Sequence, residues 1–193
     1  MNHLEKPGDT IYIQDRKKLF KLAGYTCNSE QSSFTSKTQF DDTIVICFKT
    51  RKFNAADHKV DLNDTVFKYI HNEKRIDYFK GKNLIDGEYA YGIDGNEPRV
   101  EFHFIEIIWG KHWLEIPEKA YKNLFDAHLC KNYIPVEAYI TNNGKLLFVY
   151  FHGSDGAGAY TAKLVFNRKR YVTRVINTSE MSIGYDFLDC TAK

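Results

Sequence analysis

Glu106 is the side chain hardest to reconcile with an ordinary surface position. It lies in Arg99–Trp109, RVEFHFIEIIW. Strand alternation puts Val100, Phe102, Phe104, Glu106 and Ile108 on one face, with Glu101, His103, Ile105, Ile107 and Trp109 on the other. Both faces are apolar from Phe104 onward, so the segment reads as a central strand covered on both sides. Glu106 is then a buried carboxylate, which must be paired, hydrogen-bonded or protonated. Two chemistries follow: an ion pair, with Arg174 of the last strand as partner, or a general acid or base with a raised pKa.

His152 and Asp155 are the other acid–base candidates. With Ser154 they suggest a hydrolase, but a nucleophile elbow needs glycine two residues before the serine, and that position is His152. What remains is a polar pocket at the edge of a curved sheet. His103, Glu106, His152 and Asp155 would supply its polar groups, and Trp109 and Tyr150 its walls. The pocket requires at least two of those polar side chains to converge.

Metal and cofactor signals are sparse. Glu101 and His103 lie two apart on one strand face, and His112 is a third ligand only if the chain turns back. A metal normally needs three or four ligands, so no metal site is assigned. The acids around Asp57-His58, Asp61 and Asp64 read as a solvated loop and a helix cap. His71-Asn72-Glu73 resembles an HNH string without the ββα setting that would give it meaning. Gly153–Gly158 is glycine-rich, but a phosphate cradle needs a helix after it, and Tyr160–Phe166 reads as a strand. The segment is expected to be a hairpin loop, and no cofactor is implied. The basic turn Arg168-Lys169-Arg170, with Arg174 beyond it, could meet an acidic partner or simply be solvated. Smaller clusters occur at Lys17, Lys18 and Lys21, and at Lys49, Arg51 and Lys52.

The elements that would position these groups read as follows. Thr10–Gln14 is a short strand, and Asp15 caps a helix over Arg16–Ala23 that stops at Gly24. Residues 1–27 thus form a strand–helix arm, and Asn28–Asp42 a polar loop. Thr43–Phe48 is a buried β-branched strand. A helix runs from a cap at Asn63 or Asp64 to about Lys80, with Val66, Phe67, Ile70 and Phe79 on one side. Glu88–Ile93 and Arg99–Trp109 form a hairpin across Asp94–Pro98. Ile116–Leu129 is the clearest helix, with Pro117 in its first turn and Ala120, Tyr121, Leu124, Phe125, His128 and Leu129 at helical spacing. The last third is a meander of Val136–Thr141, Lys145–His152, Tyr160–Phe166 and Tyr171–Ile176, turning at Asn142-Asn143-Gly144 and at Asn167–Arg170. The expected fold is α+β: one domain over 1–193, with two to three helices packed on one face of a meander-rich antiparallel sheet.

Composition narrows the function classes. With 43% apolar and 27% charged residues, the chain can fold around its own core. Its 27 basic and 25 acidic residues give a net charge of +2, too balanced for a protein that clings to a polyanion, so nucleic acid is not an expected partner. No run approaches the roughly 18 apolar residues of a membrane span, and the first twenty residues lack a signal-peptide core. Four widely spaced cysteines, Cys27, Cys47, Cys130 and Cys190, show no paired spacing. These features point to a soluble chain in the cytoplasm of a bacterium or a comparable compartment.

Aromatic residues make up 15% of the chain; they suit a β-rich core and its rim. Some could form an exposed patch for a partner or ligand, since aromatics are enriched at interface centres. The leading expectation is a non-enzymatic binding protein of an inhibitor, immunity or mobile-element accessory type. Its partner would be another protein or a second copy. The alternative is a small-molecule site, enzymatic or not, at the curved sheet.

Overall fold

The computed structural model describes residues 19–28, 30–62, 64–71, 74–81, 83–93, 95–130, 136–154 and 158–178; for 64–71 and 74–81 it describes the backbone alone. Fifteen strands account for almost all of the regular structure: β1 Leu19–Lys21, β2 Tyr25–Cys27, β3 Gln31–Lys37, β4 Thr43–Lys52, β5 Val60–Asp61, β6 Asp64–His71, β7 Lys74–Gly81, β8 Leu84–Ile85, β9 Glu88–Tyr89, β10 Val100–Trp109, β11 His112–Leu114, β12 Glu137–Thr141, β13 Leu146–Gly153, β14 Tyr160–Asn167 and β15 Tyr171–Asn177. The helical content among the described residues is two 3-10 turns, Ala55–Asp57 and Glu118–Ala120. The α+β expectation is therefore overturned, because the fold is antiparallel β almost throughout.

Two five-stranded sheets face each other. Sheet A has the order β1-β12-β13-β14-β15, and sheet B the order β11-β10-β4-β3-β2. Alternation sends Ile44, Ile46 and Phe48 of β4 inward to meet Leu147, Val149 and Phe151 of β13 and Ala162, Leu164 and Phe166 of β14. Phe48 and Phe151 meet edge to face, with ring centroids 5.9 Å apart. Each fully buried Phe or Leu here is worth about 1.5–3 kcal/mol of transfer free energy. The meander β12–β15 forms as its sequence alternation indicates, with paired neighbours from Glu137↔Tyr150 to Thr161↔Asn177.

The expected helices fail for different reasons. The backbone of 64–81 is the hairpin β6–β7, closed by His71↔Lys74. Its sequence, DTVFKYIH and KRIDYFKG, is dense in β-branched and aromatic residues, which favour a pleated strand over a helix. Ile116–Leu129 is a strap across one end of the sandwich. Ala120, Tyr121, Asn123, Leu124, Phe125, His128 and Leu129 are all buried, while Glu118, Lys119 and Lys122 stay exposed, so the segment keeps an amphipathic pattern and its tertiary hydrogen bonds decide the conformation. The strap instead bonds to strand ends: Phe125 N–H donates to Tyr91 O, Asp126 N–H to Val100 O and His128 N–H to His152 O. Asp126 at φ +49° ends any helical path. Gly92 at φ +99° lies so close to the strap that a Cβ there would sit 2.2 Å from the Phe125 carbonyl oxygen.

Of the expected N-terminal helix, residues 16–18 lie outside the described residues and Leu19–Lys21 is a strand paired with β12; Thr10–Gln14 also lies outside them. The polar stretch Asn28–Asp42 is largely strand β3, with Ser32, Phe34 and Ser36 buried and polar neighbours facing out. The expected pairing of Glu88–Ile93 with Arg99–Trp109 is absent: β9 pairs with β8 through the Asp86-Gly87 turn, and β10 pairs with β4.

Candidate binding face and the ionic cluster at its end

A bulge decides which residues of β10 face where. The register against β4 runs Phe102↔Thr50 and then Phe104↔Lys49, leaving His103 unpaired. One extra residue inverts the alternation, so Phe102, Ile105, Ile107 and Trp109 point to the core. Glu101, Phe104, Glu106 and Ile108 point outward. Glu106 is therefore exposed, opposite Cys47, and the expected buried pair with Arg174 does not form. The buried carboxylate of this strand is Glu101, 5% exposed.

Glu101 is held from two sides. Arg51 Nε donates to its Oε1 at 2.7 Å, and His58 Nε2 meets its Oε2 at 2.8 Å. The other ring nitrogen of His58, Nδ1, lies 2.8 Å from Asp86 Oδ2. Phe53 stacks on the imidazole with centroids 4.9 Å apart, and the Lys59 amide donates to Asp86 Oδ1. Since both ring nitrogens face carboxylates, both must carry protons for the two bonds to form, which makes His58 an imidazolium. Burial works against that charge, but the Asp86 hydrogen bond and the nearby Glu101 and Asp86 charges outweigh it and raise the His58 pKa above an ordinary histidine's. The same hydrogen bond holds Asp86 below the usual carboxylate range. The chain Arg51–Glu101–His58–Asp86 alternates in sign, with Glu101 and His58 enclosed and the Arg51 and Asp86 side chains at its ends about half exposed. It pins the 53–61 loop and the small sheet β5-β8-β9 to one end of sheet B.

The rest of sheet B's outer face is open. Ile108 pairs with Trp113 of β11 on one side and with Val45 of β4 on the other, and Val45 pairs with Thr35 of β3. Trp113 is 62% exposed and Ile108 41%. The next rows along the strands are Glu106–Cys47–Ser33 and Phe104–Lys49–Gln31. An antiparallel sheet that turns one face to water usually carries polar residues there. This face instead has an apolar row ending in an indole, bordered by Glu106, Lys49 and His103.

The remaining sequence candidates scatter. Trp109 is a core residue, 1% exposed, with the Arg168 guanidinium 5.2 Å from its ring centroid. Tyr150 and His152 lie buried on the outer face of sheet A, where His152 Nδ1 is 3.2 Å from Thr161 Oγ1. Asp155 lies outside the described residues. His103 and Glu106 are thus on one outer face of the sandwich and His152 on the opposite one, so the convergence a pocket required does not occur among them. Arg168 pairs with Asp42 at 2.6 Å, Arg174 Nη1 donates to Asn123 Oδ1 at 2.7 Å, and the Lys169 and Arg170 amides donate to Asn167 Oδ1. The Lys169 and Arg170 side chains themselves are exposed. Glu101 lies near the start of β10 and His112 in β11, paired with Trp109 at the far end of β10, and no group of three His, Cys, Asp or Glu side chains among the described residues is arranged to hold a metal.

Sequence reasoning missed Ile108 and Trp113 as a pair, and it missed His58 and Glu101. A bulge signal in RVEFHFIEIIW would have exposed both errors, because Val100, Phe102, Ile105 and Ile107 share a face only if one residue is skipped. A separate pocket of about 300 Å³ lies at the strap, lined by Gly92, Ile93, Asn96, Glu97, Arg99, Asp126 and Ser154. Its main carboxylate is already engaged, since Asp126 Oδ1 accepts the Arg99 and Val100 amides at 2.8 Å each.

No family model matches the chain, and neither a curated protein nor a solved structure matches it significantly.

Proposed function

We propose that this chain is a protein-binding module whose contact surface is the outer face of sheet B, with Trp113 as its anchor. The observation that carries the reading is the adjacent pair Trp113 and Ile108 on an otherwise open sheet face. Interface hot spots are typically Trp, Tyr or Arg surrounded by contacts that exclude water, and the row Trp113–Ile108–Val45 has that character. Rigid β strands present these side chains at little entropic cost to binding. The ionic cluster marks the end of the surface, since its buried carboxylate, Glu101, already has Arg51 and His58 as partners.

The test is site-specific photo-crosslinking from position 45, in the centre of the row, with position 145 on the β12–β13 turn as control. The reading expects one discrete adduct from position 45, a second protein or a second copy of this chain, that disappears in an Ile108→Ser/Trp113→Ser variant of unchanged melting temperature. Equal labelling from both positions, or an adduct indifferent to that variant, would sink it.

A second reading, a small polar ligand, has the pocket at Asp126 in its favour. Native mass spectrometry of the purified chain would reveal a retained small mass, and an Asn96→Leu variant should shed it.

A further inference from the structure

We infer that this protein is built for an oxidising compartment, where a covalent link between Cys27 and Cys130 locks the strap onto sheet B. The two cysteines form a disulfide with their Cα atoms 5.6 Å apart and a sequence separation of 103. Disulfides persist in secreted, periplasmic or lumenal settings and are rare where glutathione and thioredoxin keep thiols reduced. The inference replaces the cytoplasmic expectation, which rested on the apolar patterning of the first twenty residues, the lack of a membrane-span run and the cysteine spacing.

Position explains why the link matters. Cys27 ends β2, a three-residue edge strand bonded only to β3. Cys130 ends the strap, whose described contacts near that point are the His128 N–H bond to His152 O and the Tyr25 hydroxyl bond to Leu129 O. The disulfide thus joins the edge strand β2 to the strap. The strap in turn touches Tyr91, Glu101 of β10 and Gly153 of β13 through isolated bridges, so fixing its end steadies contacts to both sheets. Closing a loop of this length also removes many conformations from the unfolded chain.

The chemistry requires a partner. Formation of the bond releases two protons and two electrons from the Cys27 and Cys130 thiols. A thiol oxidoreductase carrying its own disulfide accepts the electrons and becomes a dithiol, by thiolate attack through a mixed disulfide. Both cysteines are exposed, so an exchange catalyst can reach them. Cys47 sits half-buried on the outer face of sheet B, and burial pushes its thiol pKa up, which makes it a poor competitor in exchange.

The experiment uses the full chain, equilibrated in glutathione buffers from mostly oxidised to mostly reduced, then alkylated and mapped by peptide mass. The expected result is a Cys27–Cys130 cross-linked peptide that persists well into the reduced range. Full reduction should lower the melting temperature by something on the order of 10 °C and speed amide exchange at 25–27 and 127–130, leaving β13 and β14 protected. A different pairing, fully alkylated Cys27 and Cys130 in oxidised buffer, or loss of the link under mild reduction would each overturn the compartment inference. A link whose reduction changes neither melting nor exchange would overturn its locking role. Because reduction is applied to the wild-type chain, the test does not depend on a cysteine variant folding.

Discussion

Sheets A and B share an interior but differ on their outer faces. On sheet A, Tyr139, Phe148, Tyr150 and Val165 form a second buried cluster, with the Lys163 ammonium 5.3 and 5.5 Å from the Phe148 and Tyr150 ring centroids. On sheet B, the corresponding face carries Val45, Phe104, Ile108 and Trp113 at partial or full exposure. Similar residue types thus occupy two faces, and only one face is buried within the chain. Apolar surface that a fold leaves in water is where association gains most, which is why the proposed binding face is the outer face of sheet B.

The sharpest test of that contrast is energetic. Phe148→Ala on sheet A should destabilise the chain by about 3–5 kcal/mol, whereas Ile108→Ala on sheet B should cost less than about 1 kcal/mol. Urea unfolding of both variants measures the difference, and equal losses would mean that sheet B's face is buried within the folded chain.

Glu101→Ala comes next, at about 2 kcal/mol, because it removes the buried acceptor shared by Arg51 and His58. Arg51→Ala should cost less, since that side chain is 50% exposed and exposed ion pairs contribute little. A reversed order in thermal melts would show that Glu101 is not the hub of the cluster.

A pH series separates the cluster from the open face. The His58 pKa is raised in the folded chain, so its stabilisation is complete below the unfolded value near 6.5 and is lost as pH climbs through the folded value. The Asp86 pKa is lowered, so its contribution is present above roughly pH 4 and is lost as pH falls through its folded value. Stability should therefore decline on the alkaline side of about pH 6.5, and His58→Gln should flatten that limb. Ile108→Ser should leave the whole profile unaltered in shape.

The smallest effect is spectroscopic. Trp109 is 1% exposed and Trp113 62%. Trp113→Phe should leave a blue-shifted emission that acrylamide barely quenches, with stability changed by under about 0.5 kcal/mol. Red-shifted, quenchable emission from that variant would place Trp109 in water and contradict the assigned faces of β10.

Legibility followed the range of the interactions. The β12–β15 strands could be read because alternation, the Asn-Asn-Gly turn and short connections are local, and tertiary contacts agree with them. Ile116–Leu129 misled because helical spacing of apolar residues also suits a strap held by hydrogen bonds from Phe125, Asp126 and His128 to distant residues, and nothing local reports those partners. In β10 a single unpaired residue, His103, set Glu106 on the outer face, since every side chain beyond a bulge changes face, and Glu101 on that same face is buried because His58 of the 53–61 loop packs on it.

What the residues determined alone is the supply: alternating apolar stretches sufficient for stacked sheets, balanced charge, and abundant aromatics. What the tertiary structure decided is pairing across long separations. His58 meets Glu101 43 positions away and Cys27 meets Cys130 103 positions away, and Trp113 is left in water while Trp109 is buried. Local sequence sets each strand's period, but only closure of the two sheets determines which side of each strand is enclosed and which stays free for a partner.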